Sequence, residues 1–130
     1  MIVTIAFWCL MVAAILPLTV SWVSGYFRHK QFGKVDNKLP RAQNSQLTGA
    51  GERAVAAQQN SWEALAVFSA AVMVSHLGGA DPERAGMAAM LFIAARLVYI
   101  VCYLADKDAL RSLSFIAGFG CCIWLFLMPA

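Results

Sequence analysis

The stretch Gln59-Asn60-Ser61-Trp62-Glu63-Ala64-Leu65-Ala66-Val67-Phe68 sets an amide and a carboxylate directly ahead of a hydrophobic run. Asn60 and Glu63 lie three positions apart, so on a helix they share one face. The chain has seven acidic residues: Asp36, Glu52, Glu63, Asp81, Glu83, Asp106 and Asp108. Six fall in polar connections, and only Glu63 leads straight into a long apolar stretch. An ionisable group at membrane depth costs several kcal/mol unless it is paired, which makes Glu63 a candidate functional residue.

The surrounding sequence supplies that membrane. Of 130 residues, 61% are hydrophobic and 13% charged, against about 25% charged in an ordinary soluble domain. Ile2 to Ser24 contains no charge, Ala64 to Ala80 only His76, Ala85 to Ala105 only Arg96, and Ala109 to Met128 only Arg111. Each is near the roughly 20 residues that a helix needs to cross the hydrocarbon core. The reading is an all-α membrane protein. One domain, residues 1–130, holds four transmembrane helices over approximately 2–26, 50–79, 83–105 and 109–128. The first stretch lacks a basic leader and is longer than a signal peptide's apolar region, so it reads as a retained helix. Cys9, Cys102, Cys121 and Cys122 all fall in apolar stretches without the spacing of a metal or redox motif. They read as packing residues, and no metal site is expected.

Basic residues set the orientation. The first connection holds Arg28, Lys30, Lys34, Lys38, Arg41 and Arg53, the third holds Lys107 with Arg111 just beyond, and the second holds only Arg84. With four helices the first and third connections share a side, and the positive-inside rule places that side in the cytoplasm. Both termini then face the other compartment. The net charge of +3 reads as topology and contact with anionic membrane lipids. No basic stripe interleaved with aromatics points to nucleic acid. In the first connection Asp36-Asn37-Lys38-Leu39-Pro40-Arg41 has turn chemistry. In the second, Asp81 is placed to cap a helix and Pro82 suits its first turn.

Helical spacing gathers more polar groups with Glu63. Arg53, Asn60 and Glu63 share a face of the second helix, and Arg96, Tyr99 and Tyr103 share a face of the third. Arg111 and Ser112 open the fourth helix, and Arg28 closes the first. The expectation is one cytoplasm-facing cavity lined by Arg28, Asn60, Glu63, Arg96, Tyr99, Tyr103, Arg111 and Ser112. Arg96 lies roughly 13 Å from its helix end and Glu63 roughly 9 Å from the polar boundary, at 1.5 Å per residue. Glu63 and Arg96 are therefore expected to pair. The excess of arginine suggests an anionic ligand.

Taken together, these motifs resemble the MAPEG family, the membrane-associated proteins in eicosanoid and glutathione metabolism. The resemblance covers nearly the whole chain. It rests on the Asn60-x-x-Glu63 pair followed by Phe68, on Arg96-x-x-Tyr99-x-x-x-Tyr103, and on Arg111-Ser112. The stretch Val35 to Arg41, with Leu47-Thr48-Gly49 and Arg53-Ala54, is similar to bacterial members. The resemblance implies a homotrimer in a bacterial inner membrane, with both termini periplasmic. It implies glutathione bound between neighbouring subunits and a lipophilic small-molecule substrate. Arg28, Arg53, Asn60, Glu63, Arg96, Tyr99 and Tyr103 would hold the tripeptide, with Arg111 and Ser112 at its thiol. The implied activity is glutathione-dependent transferase or peroxidase chemistry on electrophiles or hydroperoxides. A cation near sulfur raises the thiolate fraction, and the thiolate is the nucleophile. Ala56 stands where glutathione-binding members commonly carry arginine, with Arg53 one turn earlier. That departure keeps a non-catalytic member, binding glutathione or lipid, as the alternative. A small multidrug transporter is the second alternative, although such proteins typically carry their membrane carboxylate in the first helix.

Overall fold

A computed structural model describes residues 3–130; the expected start of the first helix, at residue 2, lies outside them. Five helices follow in order: α1 (Ile5–Phe32), α2 (Pro40–Asn44), α3 (Ala50–Leu77), α4 (Pro82–Leu104) and α5 (Asp108–Leu127). α1, α4 and α5 are each long and apolar enough to cross a membrane. This is a multi-pass membrane protein with an all-α fold. α3 matches α1 in length, 28 residues, but its first half carries Glu52, Arg53, Gln58, Gln59, Asn60 and Glu63.

The four long helices form a ring. α1 packs on α3 and α4, α5 packs on α4 and α3, and α3 meets α4 across the diagonal. Small residues allow the close approach, because lipid-embedded helices associate through packing and not through exclusion of water. Ala6, Cys9, Ala13, Ala71, Ala88 and Ala89 are all buried where the helices cross. The diagonal is fixed by Phe68 and Phe92, whose rings stack in parallel with centroids 3.9 Å apart. The outer surface is apolar, with Trp22, Val101, Leu113 and Ile116 exposed.

Local chemistry ends the helices. α1 runs on past Tyr26 to Phe32 and stops at Gly33, which adopts φ 77° and donates its N–H to the His29 carbonyl at 2.8 Å. This left-handed cap is one that glycine enters without steric cost. Asp81 caps α4 by accepting the Arg84 N–H at 2.8 Å, with Pro82 behind it. The first connection is an ordered strap. Gln43 accepts from the Asp36 N–H and donates to the Lys34 carbonyl, both at 2.9 Å. Gln31 donates to the Gln46 carbonyl and accepts from the Thr48 N–H, both at 3.1 Å. The strap and the end of α1 press so closely on the start of α3 that a Cβ on Gly51 would meet Leu47 Cδ2 of the strap and Phe27 Cβ of α1 at 3.0 Å.

Two contacts fix which ends coincide. Arg53, at the start of α3, donates to the Leu104 carbonyl at the end of α4 (3.3 Å). Phe7, near the start of α1, packs edge-on against His76 at the end of α3, with centroids 4.8 Å apart. The first and third connections therefore share one end of the bundle, and the second connection shares the other with the start of α1.

Candidate functional site

The diagonal contact brings polar faces of α3 and α4 together beside the start of α5. Asn60 lies 10 residues into α3, where spacings of three and four turn Asn60 and Glu63 toward α4 and α5. Asn60 Nδ2 donates to Glu63 Oε2 at 3.1 Å. That bond fixes the amide and leaves Asn60 Oδ1 buried without a partner. On α4 and α5 the cations and rings alternate. The Arg96 guanidinium sits 4.1 Å from the Tyr99 centroid. Tyr99 meets Tyr103 edge-to-face at 5.6 Å. Arg111 sits 4.4 Å over Tyr103. A cation–π contact is worth about 2 kcal/mol when desolvated, as at buried Arg96, and about 0.5–1 kcal/mol at an exposed site, so half-buried Arg111 is held less firmly.

These groups line two adjoining cavities. The outer one, about 350 Å³, gathers Asn60, Tyr99, Tyr103, Arg111 and Ser112. The inner one, about 140 Å³, is lined by Asn60, Glu63 and Arg96, with Phe92, Gly118 and Cys122 as its apolar wall. Asn60 and Phe115 belong to both. The outer cavity is rich in donors and carries a cation, chemistry suited to carboxylates.

The single ring expected from the sequence is thus divided. Arg28 lines neither cavity. It is 8% exposed, and its Nε and Nη1 are buried without hydrogen-bond partners. Arg53 lines neither cavity as well: its Nη2 donates to the Leu104 carbonyl, and its Nε is buried without a partner. The expected Glu63–Arg96 ion pair does not form. Arg96 is 3% exposed and lies over Tyr99, its Nη2 without a partner, while Glu63 bonds to Asn60 on the exposed side of α3. The tyrosine one turn along the same helix face is a nearer partner for a long guanidinium than a carboxylate on another helix.

Sequence reasoning found Arg111 and Ser112 on α5 but omitted the cavity residues further along that helix. Arg111, Phe115, Gly118 and Cys122 follow spacings of four, three and four, so extending the Arg111 face along its helix would have found them. Phe92 carried no polar signal, and it enters the site as the partner of Phe68.

The sequence profile of the MAPEG family matches residues 5–130. Comparison with curated proteins gives no match.

Proposed function

Because the chain belongs to the MAPEG family, a family associated with glutathione and eicosanoid metabolism, we propose that it is a membrane-bound glutathione-dependent transferase or peroxidase. Its second substrate is a lipophilic electrophile or hydroperoxide. The observation that carries this reading is the convergence of Asn60, Tyr99, Tyr103, Arg111 and Ser112 on one cavity of about 350 Å³. Glutathione offers two carboxylates, an amine and a thiol. Arg111 and the tyrosine hydroxyls are donors for carboxylate oxygen or thiolate sulfur, and Glu63 next door is an acceptor for the amine.

In this reading Arg111 holds negative charge on the sulfur, with Tyr103 beneath it fixing the guanidinium. Ser112 supplies a hydroxyl beside it. Holding the two reactants in one site lowers the barrier by proximity, while water stays excluded by the phenylalanines of α4 and α5. The working form is a homotrimer in which α3 makes the fourth crossing, its polar half facing protein. The basic first and third connections lie in the cytoplasm and both termini in the periplasm of a bacterial inner membrane.

One observation favours the non-catalytic alternative. Ala56 contributes no cation, and Arg53 is turned away to Leu104, so one carboxylate of the tripeptide lacks a partner from this subunit. The test is glutathione added to the solubilised chain. Ultraviolet thiolate absorbance that appears on addition and vanishes in Arg111→Ala supports the enzyme. Folded protein that gives no such signal refutes it.

A further inference from the structure

Between the strap and α3 lies a third cavity, of about 400 Å³. Val55, Gln58, Gln59 and Trp62 form its α3 wall, with spacings of three and four that give them a face of their own. Arg41 and Asn44 of α2, with Ser45 after them, form the opposite wall. None of these residues lines the two cavities beside Asn60.

The cavity sits at the depth of the membrane surface. The Arg53–Leu104 bond places this end of α3 beside the third connection, so the cavity opens at the basic end of the bundle. Val55 to Trp62 covers about 10 Å at 1.5 Å per residue, enough to cross a headgroup layer of about 5–8 Å. Trp62, 44% exposed, stands just before the apolar run, and indole rings favour the bilayer interface.

Three side chains define the guest. Arg41 brings a cation, and among the described residues no carboxylate lines the cavity to balance it. Asn44 Oδ1 is buried without a hydrogen-bond partner, and a buried orphan acceptor calls for an explanation. Ser45 Oγ donates its one proton to the Ala42 carbonyl at 2.7 Å, so only lone pairs remain for a ligand. One cation beside two acceptors suits an anion that also carries hydroxyl donors. An ammonium headgroup fits less well, because it would stand near Arg41 with no carboxylate to offset it.

We infer that this cavity holds the headgroup of an anionic phospholipid bearing hydroxyls, of the phosphatidylglycerol type. Arg41 takes the phosphodiester, and the headgroup hydroxyls donate to Asn44 and Ser45. Gln58 and Gln59 serve as donor or acceptor along the α3 wall, and the acyl chains pass Trp62 into the bilayer. A soluble phosphodiester shares the polar chemistry, but the depth of the cavity and Trp62 favour the lipid. The bound lipid ties the strap to α3.

The test uses the full chain in phosphatidylcholine nanodiscs at about 0.5 M salt, where diffuse attraction is screened. A phosphatidylglycerol probe with a diazirine near its glycerol is photoactivated, and the labelled peptides are mapped. Label is expected on the 40–45 and 55–62 segments, competed by unlabelled phosphatidylglycerol. Arg41→Gln should need about tenfold more probe, the loss of one charged hydrogen bond. Lys38→Gln removes an equal charge from the same strap outside the cavity, and should change labelling less than about twofold under screening. Asn44→Ala removes the orphan acceptor, and Gln59→Trp, at an exposed position, fills the cavity without touching the strap. Asn44→Ala should erase the preference for phosphatidylglycerol over phosphatidylethanol, which has the same charge and no hydroxyl. Gln59→Trp should abolish the label. Equal losses in Lys38→Gln and Arg41→Gln overturn the site in favour of a diffuse basic surface. Equal competition by phosphatidylethanol in the unaltered chain overturns the hydroxyl assignment. Displacement by soluble glycerophosphoglycerol at the same concentration overturns the lipid as occupant. Absence of label from both segments in folded, assembled protein overturns the proposal outright, because a neighbouring copy then fills the cavity.

Discussion

Truncating Phe68 tests whether the site rests on packing alone. Phe68 is fully buried and its ring lies 3.9 Å from that of Phe92, nearly parallel at 8°. In a water-soluble core Phe→Ala costs about 3–5 kcal/mol, part of it transfer from water and part the cavity left behind. Between membrane helices the transfer part is close to nil, because lipid tails are as apolar as the core. The cavity part remains: about 100 Å³ at about 24 cal/mol per Å³ gives about 2.4 kcal/mol. Phe68→Ala should therefore cost about 2–2.5 kcal/mol, measured by reversible SDS unfolding in mixed micelles followed by helical circular dichroism. Phe92→Ala should cost a similar amount. The double variant should cost less than both together by about 0.5–1.5 kcal/mol, the coupling of an aromatic pair. Leu113→Ala, on the exposed surface of α5, should cost under about 0.5 kcal/mol. A single cost above 4 kcal/mol would mean that water exclusion drives this core. Additive costs would mean that the stack does not tie α3 to α4.

Three shorter predictions concern the other elements. Asp81→Ala removes the α4 cap and should lower stability by about 1 kcal/mol in the same unfolding assay, with Asp81→Ser recovering most of it. Gly33→Ala forces a Cβ into a left-handed cap and should cost about 1–2 kcal/mol; an unchanged midpoint would contradict the φ of 77°. Cysteines introduced at Lys38 and at Glu83 should react with a membrane-impermeant maleimide from opposite sides of sealed vesicles, the first only from the cytoplasmic face; reaction of both from one face would overturn the topology.

Features fixed by neighbouring residues were legible in the sequence. Asp81 and Pro82 form a cap because its donor, the Arg84 N–H, lies three residues on. The faces of Asn60, Tyr99 and Arg111 follow from helical spacing, and all three reach one cavity. Helical spacing gives a direction and a depth, but it leaves open which acceptor a long side chain selects. Arg53 bonds to a carbonyl 51 positions away in sequence, and Arg96 settles on Tyr99. Their partners emerge only once the helices are packed. The strap before α3 was opaque for the same reason. Turn chemistry marks Asp36, whose carboxylate accepts from the Lys38 and Leu39 N–H groups at 2.9 and 3.2 Å. The bonds from Gln31 and Gln43 that order the rest span 7 to 17 positions.

Glu63 then raises a question of burial that one subunit does not answer. Its carboxylate accepts a single side-chain hydrogen bond, from Asn60, and lies on the exposed side of α3. Trp62 and Val67 flank it, each 44% exposed. If that face met lipid, the charge would carry the several-kcal/mol cost of an unpaired ion at membrane depth. The lowest-cost arrangement covers it with protein or with a cationic guest. Arg96 has not taken that role, although its guanidinium lines the same cavity. A second subunit against α3, together with a ligand amine at Glu63, meets both needs. Glu63 thus links the proposed oligomer to the proposed glutathione site. It separates them as well: Glu63→Gln removes the charge that attracts an amine yet keeps an acceptor for Asn60, so glutathione affinity should fall while subunit assembly holds.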